Sequence, residues 1–213
     1  RRLIIFGGRT SSGLRSRLVG INNAPGGAGL ELAFDWDILE DSDHYSFIAG
    51  RIPTVMLHTG LHDQYHRPSD DVEFVNFDGI PQVSRLTLAL TLAIADDDER
   101  LSFRPESRSE SNATKRRLEE SRPPRAPSRG RWGIISRADP GEPACPVVVD
   151  VFRDSPAAKA GLRAGDRLIA IEGECFADQA AMVARLRSSP AVCQLTIDRR
   201  GVVSTVTLQD DGD

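Results

Sequence analysis

The chain has 213 residues, of which 39% are apolar and 27% charged, with a net charge of −4. The length suits one or two domains and the composition an ordinary globular protein. The mild acidic excess excludes a basic nucleic-acid-binding surface, and the longest apolar run, around Leu86–Ala95, is too short to span a bilayer.

The first residues, Arg1-Arg2-Leu3-Ile4-Ile5-Phe6-Gly7-Gly8, show neither an initiating Met nor a signal-peptide pattern. Leu3–Phe6 predicts a buried strand, so the chain reads as the tail of something longer. A helix is expected over Thr10–Val19, opened by Thr10-Ser11-Ser12 and ended near Gly20. The β-branched run Ile52–Leu57, entered through Pro53, predicts a buried parallel strand. Ile80–Ala95 predicts a helix apolar nearly all round, with Asp78 as a candidate cap; such a helix needs cover on several sides.

Composition changes over Asp96–Gly130, where 17 of 35 residues are charged and Leu101, Phe103 and Leu118 are the large apolars. Such a segment buries too little apolar surface to offset chain entropy, which predicts a disordered linker. Beyond it, strands are expected at Val147–Phe152, Arg167–Ile171, Gln194–Asp198 and Val202–Leu208. Ser155-Pro156 has the cap-and-first-turn chemistry of a short helix closed by Gly161, and Asp178–Arg187 predicts a second helix. Cys145, Cys175 and Cys193 are odd in number and lack C-x-x-C spacing, so they read as small buried hydrophobes.

All four histidines precede residue 70 and flank the end of the Ile52–Leu57 strand, where α/β proteins place their sites. His62 and His66 have the spacing of the helical H-E-x-x-H zinc motif, but the Glu is absent, and Gly60 and Pro68 argue for a loop. The run Ser42-Asp43-His44, Gly50, Ile52-Pro53, Thr59-Gly60-x-His62-x-x-Tyr65-His66-x-Pro68-Ser69-Asp70 resembles the C-terminal part of the co-catalytic zinc aminopeptidases, relatives of glutamate carboxypeptidases and glutaminyl cyclases. The resemblance implies a mixed sheet flanked by helices. It also implies two zinc ions in the complete domain, which polarise the scissile carbonyl and acidify a bridging water. Carried onto this sequence, it makes His66 a metal ligand. Asp43, His44, Tyr65 and Asp70 become residues that orient ligands or shape the site, Asp70 alternatively capping the turn that follows. The remaining ligands and the general-base Glu are expected upstream of this chain, so no catalytic residue is assigned within it. Zinc should be weakly held or absent here.

The run Asp154-Ser155-Pro156 through Gly161-Leu162-Arg163-Ala164-Gly165-Asp166-Arg167-Leu168-Ile169 to Gly173 resembles the PDZ signature. That implies a groove in which an extended peptide adds a strand to a sheet edge. Trp132-Gly133-Ile134 matches the loop whose backbone amides hold the peptide's terminal carboxylate, with Trp132 where the family usually has an aliphatic residue. The helix at 178–187 should form the other wall, with Ala177 or Ala181 toward the peptide.

The expected architecture is therefore α/β at residues 1–95, a partial mixed sheet of zinc exopeptidase type. A linker at 96–130, a small β-rich PDZ domain at 131–209 and a tail at 210–213 follow. The expected function is that of a fragment of a zinc exopeptidase of aminopeptidase type with a PDZ domain for peptide C-termini. The partners are a peptide or protein substrate, without nucleic acid or a transmembrane segment. The alternatives are a non-catalytic PDZ peptide-binding protein and a glutaminyl-cyclase-like zinc acyl transferase. The resemblance suggests a periplasmic, secreted or membrane-associated setting.

Overall fold

The structure, a computed structural model, describes residues 2–120 and 130–210. The N-terminal module runs β1 (Arg2–Phe6), α1 (Leu14–Asn23), β2 (Glu31–Phe34), α2 (His44–Ala49), β3 (Met56–His58) and α3 (Ile80–Ala95). β1 lies at the centre of a three-stranded mixed sheet, parallel to β2 and antiparallel to β3. The strand expected at Ile52–Leu57 is thus shorter, antiparallel and half-buried. Leu3, Ile5, Leu18, Leu32, Phe34, Leu86 and Leu90 make the core. α3 has the expected bounds, but Gly79 rather than Asp78 precedes it and no side chain caps it. It buries Leu86 and Leu90 only, leaving Leu88 and Leu92 more than half exposed at 61% and 51%.

α1 begins at Leu14, four residues later than Thr10. Thr10 instead fastens a turn, its hydroxyl donating to the carbonyls of Gly7 (2.7 Å) and Thr54 (2.9 Å). No local side chain caps α1, and its first turn has no acid. Glu142, far along the chain, does both jobs: its carboxylate accepts from the amides of Arg15 (2.9 Å) and Ser16 (3.2 Å) and from the Ser16 hydroxyl. These are donors that a helix start leaves orphaned, placed where the helix dipole favours negative charge.

The C-terminal module comprises β4 (Ile134–Arg137), β5 (Val147–Val151), α5 (Pro156–Lys159), β6 (Arg167–Ile171), β7 (Glu174–Cys175), α6 (Gln179–Ser188), β8 (Val192–Arg199) and β9 (Val202–Gln209). Its antiparallel sheet has the order β4-β5-β6-β8-β9, with β7 paired to β6. Ser155 caps α5, its hydroxyl accepting from the Ala158 amide at 3.1 Å. Val148, Leu168, Ile171, Met182, Leu195 and Ile197 fill the core, with Trp132 against them. Arg200-Gly201 forms the two-residue turn between β8 and β9, with φ of 54° and 80°, the geometry that favours Gly. A Cβ on Gly201 would lie 2.4 Å from the Leu32 Cβ, so the turn packs directly on β2 of the other module.

The expected disorder at 96–130 is corrected over residues 96–120; the Pro-rich remainder of that segment, 121–129, lies outside the described residues. Pro105–Arg108 is a 3-10 turn and Asn112–Glu120 a helix, α4. Arg104 and Ser107 are buried. The segment lacks apolar residues but satisfies its charges in pairs. Glu110 accepts from Arg9 (2.5 and 2.9 Å) and from Arg104 (2.7 Å, with a second contact). Arg9 reaches on to Asp139 at 2.8 Å and stacks over Trp36 at 3.8 Å. The Asn112 side chain donates to Asp35 (2.7 Å) and Asp37 (2.8 Å). Leu118 packs on Ile135, Val147 and Val149. The charged segment is a wedge that docks one module on the other.

Candidate functional site

The histidine loop lies after β3. His66 has φ of 58° and stacks on Tyr65, ring centroids 4.0 Å apart, and both are exposed. Asp70 approaches His62 at 3.9 Å rather than His66. Asp71, not Asp70, caps the next turn, accepting from the Val72 amide at 2.7 Å. Asp43 stands exposed before α2 and makes no side-chain cap. His44 is buried, 6.5 Å from the Phe6 ring, and among the described residues neither of its ring nitrogens has a hydrogen-bond partner. The His58 Nδ1 accepts from the Gly60 amide at 2.9 Å, and its ring lies 6.3 Å from that of Phe6.

A zinc site needs three or four converging donors. Among the described residues no three His, Cys, Asp or Glu side chains come together in that way. The described residues do not by themselves fit a two-zinc centre.

The second site is a groove between β4, an edge strand, and α6. It encloses about 280 Å³, lined by Trp132, Gly133, Ile134, Gln179, Met182 and Leu186 among others. Trp132 is buried, its indole N–H donating to the Leu186 carbonyl at 2.8 Å, with the Arg131 guanidinium 4.5 Å above the ring. The Trp therefore closes the C-terminal end of α6 against the loop, where a smaller aliphatic side chain would leave a deeper pocket. Gly133 has φ of 70°, and a Cβ there would lie 2.3 Å from the Ser155 Cβ, so glycine is required twice over. Among the described residues the amides of Trp132 and Gly133 donate to no protein acceptor.

The helix wall differs from expectation. Gln179, Met182, Val183 and Leu186 line the groove, while Ala177 and Ala181 are exposed outside it. Gln179 was missed by sequence reasoning. It donates to the Ser136 carbonyl (2.7 Å) and hydroxyl (3.0 Å), crossing from α6 to the edge strand. The available signal was Asp178, which caps α6 through the Ala181 amide at 2.8 Å and so fixes Gln179 as the first helical residue.

Charge at the module junction is strongly perturbed. Burial alone would raise the Glu110 carboxyl, but hydrogen bonds and charge from Arg104 and Arg9 outweigh it and hold the group at about 2. Burial likewise opposes ionisation of Asp139, yet Arg167 and Arg9 keep it below the usual carboxylate range. For Glu142 burial wins and pushes the carboxyl up, despite the Ser16 hydrogen bond and the Arg15 charge.

An α/β module with a His loop is joined to a β-rich module with a groove along an edge strand. The family comparisons are specific on both parts. Residues 1–91 match the model of peptidase family M28, and residues 147–199 match that of a PDZ domain. The two family models thus match separate parts of the chain, each less than half of its length. No curated protein is similar enough to match it. Among solved structures, the HtrA3 PDZ domain bound to a phage-derived ligand (FGRWV) is 16% identical at a TM-score of 0.30, covering 32% of this chain and 61% of that one. An HtrA-type protease, AlgW, with a decapeptide is 25% identical at a TM-score of 0.33, covering 37% of this chain and 27% of that one. An aminopeptidase N family protein from Idiomarina loihiensis is 26% identical at a TM-score of 0.32, covering 41% of this chain and 16% of that one. The chain spans less than two thirds of the length of each. No helix among the described residues is long and apolar enough to cross a membrane.

Proposed function

We propose that the chain serves a zinc-dependent exopeptidase of aminopeptidase type, to which it brings one metal-binding side chain, His66, and a PDZ domain that captures peptide C-termini. The observation that carries the peptide-binding part is the pair of amides at Trp132 and Gly133 that have no protein acceptor among the described residues, at the end of a groove along the edge strand β4. Such amides suit a carboxylate, and hydrogen bonds to a charged group are the strong ones. The exopeptidase part rests on the match over residues 1–91 and on the motif Tyr65-His66-x-Pro68-Ser69-Asp70.

Because no metal-donor cluster forms among the described residues, a second reading is favoured for the chain acting alone: a peptide-binding protein without hydrolytic turnover. Two measurements on the 213-residue chain separate these ideas. Fluorescence anisotropy against peptides with apolar C-termini should show the free acid binding at least about tenfold tighter than the amide, equivalent to about 1.4 kcal/mol. Equal affinities would remove the carboxylate loop. Zinc content and release of a chromogenic amine from aminoacyl anilides, measured on the same sample, should both be negligible. Stoichiometric zinc with chelator-sensitive turnover would overturn the ligand count and place a complete centre in this chain.

A further inference from the structure

A second cavity, of about 360 Å³, lies at the junction of the two modules. Its floor is the outer side of β2 from Glu31 to Phe34. One wall is α4, and the other is formed by the PDZ residues Gly165, Arg167 and Arg200. Five cations reach it: Arg2, Arg15, Lys115, Arg167 and Arg200. Two are already matched, Arg15 by Asp198, and Arg167 by Asp139 at 2.8 Å and Glu119 at 3.4 Å.

The other three are not. Lys115 donates to the Phe34 carbonyl at 2.7 Å and has no carboxylate in contact among the described residues. Neither Arg2 nor Arg200 forms an ion pair among the described residues. Against these three cations the lining sets one unmatched acid, Glu31. Burial lowers the Lys115 ammonium, and the charges of Arg15 and Arg167 push it the same way, with Glu119 and Asp35 opposing. A desolvated cation held mainly by a carbonyl is costly in the empty protein, and a bound anion relieves that cost.

We propose that this junction cavity binds a small phosphate-type polyanion, either inorganic or the phosphoryl group of an organic phosphate, through Lys115, Arg2 and Arg200. A phosphoryl group fits better than a single carboxylate. The cations arrive from three separate elements, and a tetrahedral dianion offers acceptors in three directions where a carboxylate offers two in one plane. Because the anion touches β1, α4 and the β8–β9 turn together, binding also strengthens the docking of the C-terminal module.

The test is calorimetric titration of the whole 213-residue chain with inorganic pyrophosphate and, separately, phenyl phosphate, at constant ionic strength set with potassium chloride. Saturable binding at a single site is expected for at least one of the two. Tighter pyrophosphate would identify an inorganic ligand, and tighter phenyl phosphate an organic one. Lys115→Gln should weaken binding by about tenfold or more, and Lys115→Arg should retain most of it. Arg200→Asn is the variant that cannot be dismissed as misfolded, since Asn-Gly is the favoured sequence for a turn with two positive φ values; it too should weaken binding about tenfold. Absence of saturable binding at millimolar phosphate, or unchanged affinity in a folded Arg200→Asn protein, would overturn the proposal.

Discussion

Replacing Glu110 by Gln keeps the shape of the side chain and removes the charge that two guanidinium groups share. The size of the effect follows from the site. The carboxyl is held at about 2 against an ordinary 4.5. At about 1.4 kcal/mol per unit this corresponds to a ceiling of about 3 kcal/mol. Its side chain keeps 12% of its surface in solvent, and screening there reduces the figure to about 2 kcal/mol. Arg9 would retain Asp139, whereas Arg104 would keep only a contact at 4.0 Å to the exposed Glu106 as a carboxylate partner. The sign is fixed by linkage: a carboxyl lowered in the folded state stabilises above its unfolded value, and that stability is lost as pH falls from about 4.5 toward about 2. Urea unfolding followed by tryptophan fluorescence and circular dichroism should therefore place Glu110→Gln about 2 kcal/mol below the parent chain at pH 7. The gap should close as the pH approaches 2. A difference under about 0.5 kcal/mol at neutral pH, or a gap that does not change with pH, would refute the assignment of the charged wedge as the element that docks the modules.

Glu142→Ala should cost about 1–3 kcal/mol, because it removes both the missing cap of α1 and a buried acceptor; hydrogen exchange should show the amides of Arg15 and Ser16 losing protection while those in the middle of β8 hold. Gly133→Ala should destabilise the PDZ domain by about 2–3 kcal/mol, from positive φ and the Ser155 contact together. It should also abolish peptide binding in the anisotropy assay even under conditions where the variant is fully folded.

Elements whose reasons lie close by in sequence were legible. α3 has Pro81 in its first turn and begins and ends as expected, and the strands β6 and β9 follow from their own patterning. Elements whose reasons lie far away were not. The start of α1 is decided by Glu142, more than a hundred residues distant. α4 offers one large apolar residue, Leu118, to a hydrophobicity argument, and folds because Glu110, Arg104, Arg9 and Asp139 satisfy one another across three segments. Composition counts charges and cannot count their partners. At the sites, the Gly133 loop could be identified because a glycine requirement is local, and Gln179 was hidden because its partner, Ser136, is on another strand. His66 is proposed from its motif alone; its exposed ring stacks on Tyr65, and among the described residues no group of three metal-donor side chains forms.

On the proposed function, the docking of the β8–β9 turn on Leu32 bears on how a peptide held in the groove would reach the His66 loop. A domain on a slack tether raises the local concentration of its cargo by an amount set by chain statistics, falling as the tether lengthens. A domain seated on the N-terminal module by a turn, a helix cap and a shared pair of guanidinium groups has no such dependence. The span from its groove to the loop of His66 is a fixed length, so a peptide captured as proposed would reach that loop only if its own extended length, at about 3.3 Å per residue, matched the span. On the proposed function, such a groove would select its ligands by length as well as by their terminus.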